Sequence, residues 1–294
     1  MAVSVLQQKN YPSWFHLPAL AVFAFLFVVP TLTSFYYSLT DWNINTNTAK
    51  FIGLANFREL LGDKALFTAI TNTLVYSFFV TLFRNLFGLV LALLLNTQIR
   101  GRNLLRTIFY FPMVVAPIVI GYLFKAIYNP GHGLLNAALD AAGLGFLGQD
   151  WLNNIQFSLS SVMAADIWRT SGFVMVIYLA GLQVIPEELY ESASIDGAGN
   201  FWKFFNVTLP LITPTITVNV VLALIGTMKV FVMVLVLTNG GPGYATEVMN
   251  TYILRMFSIG LYGLGTAANM MLTLFILVFG LPVLLFLRSK EIEL

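Results

Sequence analysis

Six stretches of this 294-residue chain, at 15–37, 68–96, 104–127, 157–182, 211–237 and 266–288, are predominantly apolar over more than twenty residues. A helix needs about 20 such residues to cross the hydrocarbon core of a bilayer. Lipid offers no water to satisfy an open backbone, so spans of this length are helices. The pattern predicts an all-α integral membrane protein with six spans. Composition agrees: 10% of residues are charged and 58% hydrophobic, against about 25% charged in an ordinary soluble domain. Water would leave that much apolar surface sticky. Pro112, Pro117, Pro214 and Pro282 fall within the spans, where neighbouring helices or a water-lined cavity can satisfy the freed carbonyls. The first segment is too long for a signal-peptide core and no small-residue cleavage site follows it, so it reads as a retained span that also targets the chain.

Basic residues set the orientation. With the N-terminus inside, the inner face holds Lys9, Arg100, Arg102, Arg106, Lys203, Arg288 and Lys290, and the outer loops hold Lys50, Arg58, Lys64, Lys125 and Arg255. The cluster "QIRGRNLLR" is short and strongly basic, which favours both termini inside. Three further cations, Arg84, Arg169 and Lys229, lie within spans. A charge at the bilayer centre costs about 2.5–3.5 kcal/mol even on the lenient scale. These three are expected to face the bundle interior, a pore or a partner chain, or to snorkel to the interface where they lie nearer it. Asp166 and Arg169, three apart on one helix face, can pair.

Several function classes drop out. Net charge is +2, with no basic tail or nucleic-acid signature. Cys is absent and the two His, His16 and His132, are far apart, which leaves no metal-ligand spacing. No catalytic residue is expected, and no Walker A or GxGxxG sequence marks a nucleotide site.

Between the fourth and fifth spans the chain turns polar. "EELYESASIDGAGNFWKFFNVTLP" (187–210) carries Glu187, Glu188, Glu191, Asp196 and Lys203. Pro186 suits a first helical turn, and the glutamates suit the positive N-terminal end. Ala193 is small enough for close docking against another surface. Gly197 and Gly199 in "DGAG" favour a turn, and an aromatic amphipathic piece follows. The orientation puts this helix–turn–helix inside the cell.

The segment resembles the EAA loop of permease subunits of binding-protein-dependent ABC importers. Glu191-Ser192-Ala193 is followed after three residues by Gly197, and after nine more by Val207-Thr208-Leu209-Pro210. Ser192 and Val207 depart conservatively from Ala and Ile. The likeness runs from about residue 15, through "FIGLANFRELL", "RGRNLLRTIFYFPMVVAPIVIGYLFKAIYNPGHGLLN", "IWRTSGFVMVIYLAGLQVIPEELYESASIDGAG" and "VLTNGGPGYATEVMNTYILRMF". These are similar to the sugar-importing branch, and the last to the subunit related to the larger maltose permease.

The resemblance implies a six-helix type I ABC importer permease bundle of the MetI-like kind, in a bacterial or archaeal cytoplasmic membrane. Residues 1–14 would be a cytoplasmic N-terminal segment and 15–294 the permease domain, with a coupling loop at 183–210. It implies a second six-span permease, two ATPase subunits holding ATP and Mg, an extracytoplasmic solute-binding protein, and no cofactor in this chain. Glu187, Glu188, Glu191, Ser192, Ala193, Asp196, Gly197, Leu209 and Pro210 would couple to the ATPase. By motif register the substrate would meet Met113, Pro117, Asp166, Trp168, Arg169, Thr170, Phe173, Thr227, Lys229 and Val230, with Ala223 nearby. Asp166 and Arg169 can bind hydroxyls through charge-assisted hydrogen bonds, and Phe173 or Trp168 can cover an apolar sugar face. A neutral oligosaccharide stands first; Arg169 and Lys229 leave an anionic sugar derivative or glycerophosphate open. "TNGGPGYAT" would lie outside, as a contact for the binding protein or a chain reversal. A stand-alone secondary transporter would instead need an inverted repeat, and an intramembrane enzyme a clustered nucleophile and base; the sequence displays neither.

Overall fold

The computed structural model describes residues 13–45 and 49–291. Lys9 and most of the proposed 1–14 segment lie outside those residues. The chain is helical: α1 (Trp14–Ser38), α2 (Ala55–Gly62), α3 (Lys64–Asn96), α4 (Arg102–Val114), α5 (Pro117–Ile127), α6 (Leu134–Ala141), α7 (Ser158–Leu182), α8 (Glu187–Ile195), α9 (Asn200–Leu211), α10 (Thr213–Met228), α11 (Val232–Leu237), α12 (Met249–Ser258) and α13 (Tyr262–Arg288). Four of these, α1, α3, α7 and α13, are long and apolar enough to span alone.

The other two expected spans are broken. The 104–127 segment splits into α4 and α5, bent by 99°. Of its two prolines only Pro117 makes the break. It forces the preceding Ala116 out of helical geometry (ψ 134°), whereas Pro112 stays inside α4. The 211–237 segment starts at Thr213, with Pro214 in the favoured first turn. It stops at Met228 and resumes as α11. No proline marks this break, which falls at Lys229–Phe231.

α3 and α7 are the centre. A stripe of small and polar residues on α3 (Thr73, Ser77, Thr81, Asn85, Gly88, Ala92) is buried, which lets helices approach closely in a membrane. A Cβ on Gly88 would sit 2.8 Å from Val174 Cβ on α7. Gly172 of α7 is pressed against the Phe109 carbonyl of α4, and Gly181 against Thr215 of α10. Asp63 caps α3, accepting from the Ala65 amide at 2.8 Å. Asn56, the Asn of "GLANF", donates to the carbonyls of Ser38 and Thr40 at 2.8 Å each. It thereby ties the end of α1 to the start of α2. α1 is otherwise exposed along its length and touches α13.

Candidate functional site

Arg84, Asp166 and Arg169 lie on α3 and α7, the two helices at the centre of the bundle. Arg169 Nη2 and Nε lie 3.0 and 3.1 Å from Asp166 Oδ1, the pairing their spacing predicts. Tyr76 on α3 donates its hydroxyl to the other carboxylate oxygen at 2.9 Å. Thr170 returns a hydrogen bond to the Asp166 carbonyl at 2.7 Å. The free arm of the guanidinium, Nη1, is 3.5 Å from Met113 Sδ, just before the α4–α5 break. An ion pair, a phenol and a thioether from three helices thus meet at one point.

Sequence reasoning missed Tyr76. The signal was the i, i+4 stripe Thr73, Ser77, Thr81 and Asn85, which marks an inward polar face of α3 with Tyr76 beside it. Arg84 lies on the same face, half-buried, and its Nε has no hydrogen-bond partner. Its neighbour Asn85 accepts from the Tyr178 hydroxyl at 2.9 Å and donates to the Thr81 carbonyl at 2.8 Å.

The remaining expected substrate residues divide. Met113, Asp166, Arg169 and Thr170 come together. Phe173, two turns from Asp166, is on the same side of α7, against the cluster of Ala92, Val174 and Met175. Pro117 opens α5 and is half-buried. Trp168 does not join them: two residues beyond Asp166 is about 200° round a helix. It is 49% exposed, edge-on to Phe124 at 5.4 Å. It lines an apolar cleft of about 530 Å³ with Phe87, Ile108 and Pro112. Val230 is buried among Met233, Val234 and Ile120. Thr227 is buried too, 3.2 Å from Thr81 Oγ1 and bonded to its own helix. These two, with the buried Ala223, join helices and present no open face. Lys229, next to them, is exposed at the α10–α11 break.

At the 183–210 end, Pro186 caps α8 from outside in extended conformation (ψ 136°) and does not open it. The helix ends on paired bonds, Ala198 N–H to Ala193 O at 2.9 Å and Gly197 N–H to Ser194 O at 3.1 Å. This closure requires a left-handed residue, and Gly197 supplies φ +77°. Gly199, at φ −70°, has no such demand. α8 and α9 are tied by Lys203 Nζ to Ser194 Oγ at 2.6 Å and by the Tyr190 and Thr208 hydroxyls 3.0 Å apart. Glu187, Glu188, Glu191, Ser192 and Asp196 remain exposed. Ala193 faces inward, 7% exposed. Its small side chain lets α8 sit close to this chain's own body, and it is not part of an outward docking face. Leu209 and Pro210 are half-buried in α9.

At the opposite end, "TNGGPGYAT" is a pinned loop and more than a reversal. Asn72 Nδ2 reaches the carbonyls of Tyr244, Ala245 and Glu247 at 3.3, 3.1 and 2.9 Å. Glu247 is buried beside Gly240 and 3.5 Å from Arg255, whose guanidinium stacks on Tyr244 and Tyr252. Burial pushes the Glu247 carboxyl above its usual range, with Arg255 opposing the shift. Among the described residues no three metal-ligating side chains cluster.

Comparison with known proteins adds the following. A family model described as "Binding-protein-dependent transport system inner membrane component" matches residues 84–289. A probable ABC transporter permease protein, YurN of Bacillus subtilis, is 34% identical over 98% of this chain and 100% of its own length. The trehalose/maltose transport system permease protein MalF of Thermococcus litoralis is 33% identical over 90% of this chain and 88% of its own. A bacterial transporter for import of the acidic polysaccharide alginate has a chain of the same shape. Its TM-score is 0.81 at 28% identity, covering 94% of each chain. A second structure, with an alginate pentasaccharide-bound periplasmic protein, gives 0.80 at 27%, covering 95% of each.

Proposed function

Because the chain belongs to the binding-protein-dependent transport system inner membrane component family, we propose that it is one half of the translocation pathway of an ATP-driven importer. The cargo is a sugar or oligosaccharide, delivered by an extracytoplasmic binding protein; the carbohydrate class is that of the trehalose/maltose and alginate relatives. A second six-span permease completes the pathway. Two ATPase subunits, which hold ATP and Mg, dock on the 183–210 loop, and both termini of this chain lie in the cytoplasm with it. This chain performs no chemistry of its own.

One observation carries the coupling role: α8 is fixed on one side and bare on the other. Ala193, Tyr190 and Ser194 hold it to the chain, while Glu187, Glu188, Glu191 and Asp196 project an acidic face outward. A partner that grips that face moves a rigid unit, not a flexible loop. Closure of the ATPases is thereby passed through α9 to α10 and on to α3 and α7. Met113, Pro117, Asp166, Arg169, Thr170, Phe173 and Lys229 form the proposed substrate path, with Asp166 and Arg169 as hydrogen-bonding groups for hydroxyls.

The test is affinity purification of the tagged chain from its own membrane in mild detergent, with mass spectrometry of what accompanies it. Recovery of a second six-span permease and an ATPase is expected. A chain that stays alone after crosslinking in the membrane would overturn the importer reading in favour of a self-sufficient transporter.

A further inference from the structure

α9 presents a different surface from α8, although the two are tied together. Glu187, Glu188, Glu191 and Asp196 are all on α8 or at its end, whereas α9 has no acid and its one charge is Lys203. Lys203 and Thr208 turn toward α8, where they meet Ser194 and Tyr190. In a regular helix Thr208 would share a side with Phe201, seven residues earlier. A π turn at Phe204–Thr208 brings it round to α8 instead. The other side is left to Phe201, Trp202 and Phe205, which are 78%, 52% and 47% exposed, with the rings of Phe201 and Phe205 4.7 Å apart. Their depth follows from the bend. Residues 200–211 make about 18 Å of helix, and its axis stands at 66° to α10. With α10 along the membrane normal, α9 descends only about 7 Å beyond the start of that span. It lies nearly flat at the membrane surface. A helix in that position buries an apolar face about 5–10 Å into the headgroup–acyl boundary, and Trp is enriched at that level.

Resting on the importer reading above and its cytoplasmic placement of this loop, we propose that Phe201, Trp202 and Phe205 dock into the headgroup–acyl boundary of the cytoplasmic leaflet. The bilayer surface is then the fulcrum on which α8 moves. Charge divides the two helices between two partners. The anionic headgroups of that leaflet repel an acidic face, which turns α8 away from the membrane and toward the ATPase. α9 brings only a cation. Its anchored rings fix the depth of α9, and the ties at Ser194 and Tyr190 pass that fixed point to α8. A lever floating free of the membrane would lose part of each ATPase stroke in rocking α9 instead of turning α10.

The chain has no cysteine, so a single Phe201→Cys or Phe205→Cys carries a bimane dye at a known point. The experiment uses the complete importer in proteoliposomes, its other subunits freed of reactive thiols. Lipids bearing a nitroxide at the headgroup or in mid-chain report depth by quenching. With the ATPases bound, the headgroup-level lipid should quench both positions about threefold more strongly than the mid-chain lipid. Glu188→Cys on α8 should not be quenched. Quenching that vanishes when the ATPases bind would give the aromatic face to them, and quenching strongest in mid-chain would give it to the hydrocarbon core; either overturns the proposal. Trp202→Ser with Phe205→Ser should lower sugar uptake per ATP hydrolysed about fivefold while the ATPases still co-purify. Trp202→Tyr with Phe205→Tyr, which keeps rings suited to the interface, should restore most of it. An unchanged ratio in the serine pair would remove the fulcrum. Failure of the importer reading would show differently: the unmodified chain would hold no ATPase, whatever the dyes report.

Discussion

Arg169 shows how one side chain can serve packing and recognition together. Its ion pair with Asp166 is largely buried, at 14% and 8% side-chain exposure. Removing one member of such a pair leaves the other charged and poorly solvated, at a cost of about 3–5 kcal/mol. Arg169→Ala should therefore lower the thermal unfolding temperature of the detergent-purified protein. It should also change substrate affinity or preference in uptake assays. Asp166→Asn combined with Arg169→Gln should recover much of the stability and none of the substrate preference. If Arg169→Ala shifted neither, the residue would leave the proposed site. Gly197 makes a second residue-scale case, because a Cβ there would touch nothing within 4 Å. Its requirement is the backbone alone, and an L-residue in left-handed geometry costs about 1–2 kcal/mol. Gly197→Asn, which tolerates that geometry, should retain more uptake than Gly197→Val at equal expression. Equal loss in both would mean that contact with a partner, not φ, sets the need for glycine.

At the scale of elements, hydropathy located the four helices long and apolar enough to span alone and the two bent segments besides, the second shifted to 200–228, because lipid imposes apolarity on whole helices. It could not see where a helix changes direction. The α4–α5 bend was half legible: prolines marked the region, but which one breaks the helix depends on whether neighbours absorb the lost bond. The α10–α11 break at Lys229–Phe231 carries no such mark. Helix faces were legible from periodicity, and the 3.6-residue turn sets Trp168 on the side of α7 away from Asp166, against Phe124. Which helix supplies a partner, as Tyr76 of α3 does for Asp166, depends on tertiary packing that one sequence does not display. The 238–246 loop was legible as glycine-rich and no further, since its order comes from Asn72 and Arg255 far along the chain. That loop yields an element-scale prediction. Glu247 is held above the usual carboxylate range by burial, so the folded loop binds its proton more tightly than the unfolded one. The stabilising contribution is full below the unfolded value of about 4.3 and is lost as pH rises through the raised folded value. Amide protection factors over residues 238–258 should rise on acidification from neutrality toward that window, and Glu247→Gln should flatten the dependence. Protection in the unmodified protein that ignores pH would remove Glu247 as the cause.

For the whole molecule, the decisive feature is that the proposed coupling face and the proposed substrate path share rigid helices. α8 and α9 are tied to each other, and α9 runs into α10 with a 66° turn. α10 packs on α3 through Thr227 and Thr81, and on α7 through Gly181 and Thr215. A push on α8 therefore has a continuous packed route to Arg84 and Arg169, with no long loop to absorb it. Damage confined to the acidic face should accordingly break transport without touching the bundle. Glu191→Lys with Gly197→Asp reverses one exposed charge and distorts the closure of α8, while every span keeps its sequence. The double variant should insert normally, retain its partner permease through affinity purification and lose the ATPase subunits, with uptake abolished. If the ATPases were retained and uptake still vanished, motion rather than docking would be the step lost, and the closure at Gly197 would be its origin. Normal uptake by a well-expressed double variant would instead separate the loop from energy coupling altogether.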